Sequence, residues 1–125
     1  MSRRVLIVED EVLVGMMLAR KIEEFGFTVC GVVTTGEEGL EVAERERPGV
    51  ILMDISLGSE MDGIEAARQV RERLDIPVVL FTGYNRDDHL IAMAEQVQAL
   101  AIIDKLGPVE DLVEALAKGF NSNLS

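Results

Sequence analysis

The sequence has 125 residues, 48% hydrophobic and 28% charged, enough apolar material for one core and too much for a disordered tail. Acidic residues outnumber basic ones 23 to 12, a formal charge of −11, which argues against a nucleic-acid or anionic-membrane partner because phosphate surfaces are held by clustered Lys and Arg. A single cysteine excludes an internal disulfide, no run approaches the roughly 18 apolar residues of a membrane span, and Met1 to Val5 leaves no room for a signal peptide, so a cytoplasmic protein is expected.

In chain order, Val5-Leu6-Ile7-Val8 reads as a first strand, followed by a helical stripe of Val14, Met17, Leu18, Ile22 and Phe25 in which Met16 and Met17 are expected to pack. Val29 to Val33 is a second strand, with Cys30 expected as a small buried hydrophobe. Thr35 and Glu38 have capping-box spacing at the head of a helix whose Glu37, Glu38, Glu41, Glu44 and Glu46 form a solvated face. A third strand, Val50-Ile51-Leu52-Met53, precedes a helix capped by Asp62 with Glu65 three residues on. Pro77 opens a fourth strand through Phe81, where a missing N–H is tolerated, and His89 begins a fourth helix facing solvent. Ala101-Ile102-Ile103 is the last strand, and Pro108 starts a helix striped by Val109, Leu112, Val113, Leu116, Ala117 and Phe120.

The strands are continuous apolar runs rather than alternating ones, the mark of strands covered on both faces. Five strand–helix units at about 25 residues each predict an α/β domain, (βα)5, in which right-handed crossovers place helices on both faces of a parallel sheet. One domain over 1–125 is expected, with its core at about 4–120 and a short tail from Asn121.

The polar residues gather where the strands end: Glu9-Asp10 after the first, Asp54 after the third, Thr82 after the fourth, Asp104-Lys105 after the fifth. In an open parallel sheet the carboxyl ends share one edge, where ligands bind. Three carboxylates brought to about 4 Å repel by about 4 kcal/mol per pair at an effective dielectric of about 20, so a cation is expected among them. An oxygen-only set without nearby His or Cys favours Mg²⁺. A lysine and a hydroxyl at the same edge supply what a phosphoryl group needs, and one carboxylate is then free to act as nucleophile.

These residues resemble the response-regulator receiver domains of two-component signalling. The resemblance runs from about Val5 to Phe120 and rests on VLIVEDE, ILMDISLGSEMDGIEAAR, VVLFTGY and IIDK. It implies a flavodoxin-like sheet of order 2-1-3-4-5. It further implies Asp54 as phosphoacceptor, Asp10 and Asp54 with the Ser56 carbonyl as Mg²⁺ ligands, Glu9 on the ion through water, and Thr82 and Lys105 on the phosphoryl oxygens. The chain departs from the family pattern in three places. The stretch from Ser56 to Met61 lacks the usual Met-Pro and is about two residues longer; Leu106-Gly107 stand between Lys105 and Pro108; and Ile102 replaces the usual strand-5 aromatic. Thr82-Gly83-Tyr84 is similar to the turn of an atypical set of single-domain receivers, so Thr82, Gly83, Tyr84 and Ile102 are the expected switch residues, with Tyr84 standing in for the missing ring.

The resemblance implies a phosphorylation switch supplied by a histidine kinase or histidine phosphotransfer protein, not a conventional enzyme. Because the sequence stops after the fifth helix, output is expected through a protein contact on the helix 4–strand 5–helix 5 face or through onward phosphotransfer. One alternative is a receiver-like interaction module that is never phosphorylated, against which Asp54, Thr82 and Lys105 count. A flavodoxin-like electron carrier would need a hydroxyl- and Gly-rich loop after the first strand and aromatics around a flavin. Acids stand after that strand instead, and aromatics are 4% of the chain.

Overall fold

The structure is a computed structural model that describes residues 3–57, 61–83, 88–105 and 107–122. Along them strands and helices alternate: β1 (Arg3–Val8), α1 (Val12–Glu23), β2 (Phe27–Val33), α2 (Gly36–Glu46), β3 (Val50–Asp54), α3 (Gly63–Leu74), β4 (Val78–Thr82), α4 (Asp88–Gln96), β5 (Ala101–Asp104) and α5 (Val109–Ser122). Every pairing is parallel, and the order across the sheet is β2-β1-β3-β4-β5, the doubly wound arrangement expected.

The continuous apolar runs sort by parity onto two covered faces. Leu6, Val8, Ile51, Met53, Val78 and Leu80 pack with Ala43 of α2, Ala66, Ala67 and Val70 of α3, and Ala94 of α4. Val5, Ile7, Val50, Leu52, Val79 and Phe81 pack instead with Ile22 of α1 and with Leu112, Ala115 and Leu116 of α5. Side chains alternate along a strand, so a strand with helices on both sides must be apolar at every position. The two predicted caps form: the Glu38 N–H donates to Thr35 Oγ at 3.1 Å and the Glu65 N–H to an Asp62 carboxylate oxygen at 2.8 Å. Pro77 and Pro108 each stand one residue outside the element they were expected to open, and the Pro77 carbonyl still accepts from the Ile51 N–H at 3.0 Å.

Three expectations for side chains need correction. Met16 and Met17 do not pack inward; they are 58% and 59% exposed beside Val12 and Leu13 at 54% and 76%, and Phe25 is 42% exposed past the end of α1. The reason is the glycine on the inward face. A Cβ on Gly15 would meet a Val32 methyl at 2.6 Å, so α1 packs against β2 through Gly15 and turns its methionines outward. Cys30 is half-buried, not buried, because the register steps from Val5↔Val29 to Leu6↔Gly31 and leaves it at a bulge on an edge strand. Glu46 is no solvated-face residue: Arg4 donates to its carboxylate at 2.7 Å and to its carbonyl oxygen at 2.6 Å.

Candidate functional site

Backbone continuity at the strand ends builds the site. The Ile55 N–H donates to the Phe81 carbonyl at 3.1 Å and the Lys105 N–H to the Thr82 carbonyl at 2.8 Å, so the ladder runs past the last residues of β3 and β5. The Gly63 N–H donates to the Ile55 carbonyl at 3.1 Å, and a Cβ on Gly63 would stand 1.9 Å from the Asp54 carbonyl oxygen. Only a residue without a side chain lets the start of α3 approach the end of β3 this closely, and this contact fixes the backbone that presents Asp54.

The expected site residues meet at that edge. Glu9, Asp54 and Thr82 are buried, while Asp10 and Ser56 are exposed. The Lys105 ammonium donates to Glu9 Oε1 at 2.9 Å and to Asp54 Oδ2 at 3.0 Å, bridging the two buried carboxylates. It also stands 5.0 Å from the centroid of the Phe81 ring. The Ser56 N–H donates to Asp54 Oδ1 at 3.0 Å, so both oxygens of that carboxylate are held. The Glu11 N–H reaches Glu9 Oε2 at 3.4 Å. A cleft of about 560 Å³ opens over this floor, lined among others by Asp10, Asp54, Ser56, Gly83 and Lys105.

Burial, and then the neighbouring Asp54, holds the Glu9 carboxyl above the usual carboxylate range against the opposing pull of Lys105 and Asp10. Burial alone draws the Lys105 ammonium down, but its hydrogen bonds to Glu9 and Asp54 more than offset this, so its pKa is raised and it stays charged. Carboxylate oxygens of Glu9, Asp10 and Asp54 lie within 4.8 Å of one another. Three carboxylates facing one ammonium leave an excess of negative charge in a partly dry site. The donor set contains oxygen alone, which fits a hard divalent cation such as Mg²⁺.

The other expected residues fall around this floor. Thr82 ends β4, one residue beyond the Phe81 that pairs with Asp54. Ile102 pairs with Leu80 and belongs to the core on the α2–α3–α4 side of the sheet. Tyr84 lies outside the described residues. Two features escaped the sequence reading. Nothing there coupled Lys105 to Glu9, and Gly63 entered only within the ILMDISLGSEMDGIEAAR motif, with no role of its own, although the Asp62-Gly63 pair at the head of α3 offered a signal.

The fold and site together define a class. Residues 5–117 match the family described as Response regulator receiver domain, and the chain belongs to that family. It is 35% identical over 114 residues to the transcriptional regulatory protein PdtaR of Mycobacterium tuberculosis, covering 91% of this chain and 55% of that protein. It is 34% identical over 120 residues to the transcriptional regulatory protein LiaR of Bacillus subtilis, covering 93% and 56%. The chain thus spans about half the length of these curated relatives. Among solved structures, the signal receiver domain of a modulated diguanylate cyclase from Desulfovibrio desulfuricans G20 superposes with a TM-score of 0.88 at 28% identity, covering 98% of this chain and 96% of that one. The BeF3-activated receiver domain of Klebsiella pneumoniae RstA superposes at 0.83 with 30% identity, covering 93% and 97%. The described residues are therefore a receiver domain of two-component signalling, a class whose partners are histidine kinases or phosphotransfer proteins.

Proposed function

We propose that Asp54 accepts a phosphoryl group from the phosphohistidine of a histidine kinase or phosphotransfer protein in a Mg²⁺-dependent reaction. The observation that carries this reading is a buried carboxylate held at both oxygens, by the Ser56 N–H and by Lys105, on the floor of an open cleft beside two further carboxylates. Glu9, Asp10 and Asp54, with the Ser56 carbonyl, are the residues that would hold Mg²⁺, which when bound offsets charge on the phosphoryl oxygens.

An oxygen of Asp54 forms the new P–O bond as the donor's P–N bond breaks; the electron pair stays on the imidazole nitrogen, which takes a proton from solvent. Lys105 then exchanges its hydrogen bond to Asp54 for one to a phosphoryl oxygen, and the Thr82 hydroxyl supplies a second. The domain assists its own phosphorylation and dephosphorylation and is not a conventional enzyme. Output passes from Thr82 and Gly83 to a protein partner on the α4–β5–α5 face, or the phosphoryl group moves on to another histidine. Sparse burial of α4 supports that route: among its described residues Ala94 is the buried one, and Ile91, Ala94 and Ile102 line a groove of about 250 Å³.

Incubation with acetyl phosphate, with and without Mg²⁺, tests the reading by intact mass. Wild type gains the mass of one phosphoryl group with Mg²⁺ present, and Asp54→Asn gains none. An Asp54→Asn variant labelled at the wild-type rate removes Asp54 as the acceptor.

A further inference from the structure

The cleft over Asp54 extends beyond the carboxylates. Val14, Met17, Leu18 and Lys21 fall on one face of α1 and form its far wall, with Asp10 and Asp54 at the other end. Two cations line this space among the described residues, and they differ in commitment. Lys105 is engaged by Glu9 and Asp54 at 2.9 and 3.0 Å. Lys21 is exposed and makes no ion pair among the described residues. A phosphoryl donor is an anion, and to reach Asp54 it must enter a domain of net charge −11 through a cleft edged by Asp10 and Glu11. Among the described residues that line the cleft, Lys21 is the cation not already paired with a carboxylate, and its ammonium attracts an anion along that approach.

We propose that Lys21 is a capture residue for the anionic phosphoryl donor, holding its oxygens at the cleft wall before transfer to Asp54. The role rests on Asp54 being the acceptor, and the chemistry recognised is a phosphoryl dianion. Lys21 takes no part in bond making. It raises the local concentration of donor through an electrostatic attraction that salt screens, because the Debye length falls from about 10 Å at 0.1 M to about 3 Å at 1 M.

The test measures the second-order rate constant for labelling by acetyl phosphate with Mg²⁺ for wild type, Lys21→Gln, Lys21→Arg and Lys21→Glu. At low ionic strength Lys21→Gln should be slower by about threefold to tenfold, at the low end of the range for electrostatic steering, and Lys21→Glu slower still. Lys21→Arg should retain the wild-type rate. All four rates should converge as salt approaches about 1 M, where screening is nearly complete. An unchanged rate for Lys21→Gln at low salt, or a deficit that persists undiminished at high salt, overturns the role. The outcomes separate from those of the underlying reading: unlabelled wild type overturns Asp54 as acceptor, whereas labelled wild type with a salt-independent Lys21→Gln overturns the capture residue alone.

Discussion

Lys105→Met is the perturbation whose consequence the site geometry sets most directly. The substitution keeps an aliphatic stem and removes a charge lying 2.9 Å from Glu9 and 3.0 Å from Asp54. At an effective dielectric of about 20, each contact is worth roughly 5 to 6 kcal/mol of gross Coulomb attraction. Desolvation of the ions offsets much of that, and Lys105 retains 22% of its side-chain exposure, so water screens part of the remainder. What the variant suffers is two carboxylates, 0% and 1% exposed, with no counter-charge between them. Removing one partner of a buried pair typically destabilises by about 3 to 5 kcal/mol, and we expect about 3 here. At about 4 °C per kcal/mol for a domain of this size, the melting temperature should fall by about 12 °C near neutral pH without divalent cations.

The pH dependence has a definite sign. The folded pKa of Glu9 lies above its unfolded value, so protonated Glu9 favours the folded state, and this contribution is lost as pH rises through the folded pKa. Lys105 opposes that elevation in the wild type, so its removal should widen the effect, and the deficit of the variant should shrink as the pH is lowered into the carboxylate range. The wild-type ion pair, by contrast, should persist until pH rises through the raised pKa of Lys105, well into the alkaline range. Scanning calorimetry across pH is the assay. A variant that melts within about 2 °C of wild type near pH 7.5 would refute the account, because a change that small corresponds to less than about 1 kcal/mol.

Gly63→Ala should displace the end of β3, because its Cβ would lie 1.9 Å from the Asp54 carbonyl oxygen and 2.7 Å from the Ile55 Cα, backbone atoms that cannot give way cheaply. We expect a loss of about 3 kcal/mol, the upper end for forced overpacking, and labelling of Asp54 slower than that of equally destabilised controls; wild-type melting and labelling would contradict this. Asp75→Gly should act in the opposite direction. Asp75 ends α3 at φ 54° with a carboxylate at the negative end of the helix dipole, and the surface pair it forms with Arg71 at 3.4 Å is worth little. A gain of about 0.5 to 1 kcal/mol is expected by urea denaturation, after the added freedom of glycine in the unfolded chain, and any loss of stability would count against it.

The sheet was legible because a strand covered on both faces has little choice but to be apolar throughout, as Val5 to Val8 and Val50 to Met53 are. The candidate site was legible for a topological reason: once the strands are parallel, Glu9, Asp54, Thr82 and Lys105 must share an edge. The outward turn of α1 was not legible from hydrophobicity. Val12, Leu13, Met16, Met17 and Leu18 offer apolar side chains around much of the helix, and its inward face is marked by Gly15, a residue that adds no apolar weight to any stripe. Likewise the sequence reading gave Lys105 a phosphoryl contact and Glu9 a metal contact. Their mutual hydrogen bond depends on how deeply both are buried, which spacing along the chain does not reveal. Arg4 and Glu46, 42 residues apart, form a half-buried pair for the same reason.

The central claim is that Asp54 itself carries the phosphoryl group. Hydride reduction of an acyl phosphate converts the aspartyl carbonyl to an alcohol with loss of phosphate, leaving homoserine in place of the acceptor. The direct measurement is therefore to label the wild-type chain with acetyl phosphate and Mg²⁺, reduce it with borohydride, and locate the modified residue by peptide mass. The account predicts homoserine at position 54 and no other converted carboxylate; homoserine at Asp10 or at another acid, with position 54 still aspartate, would contradict it.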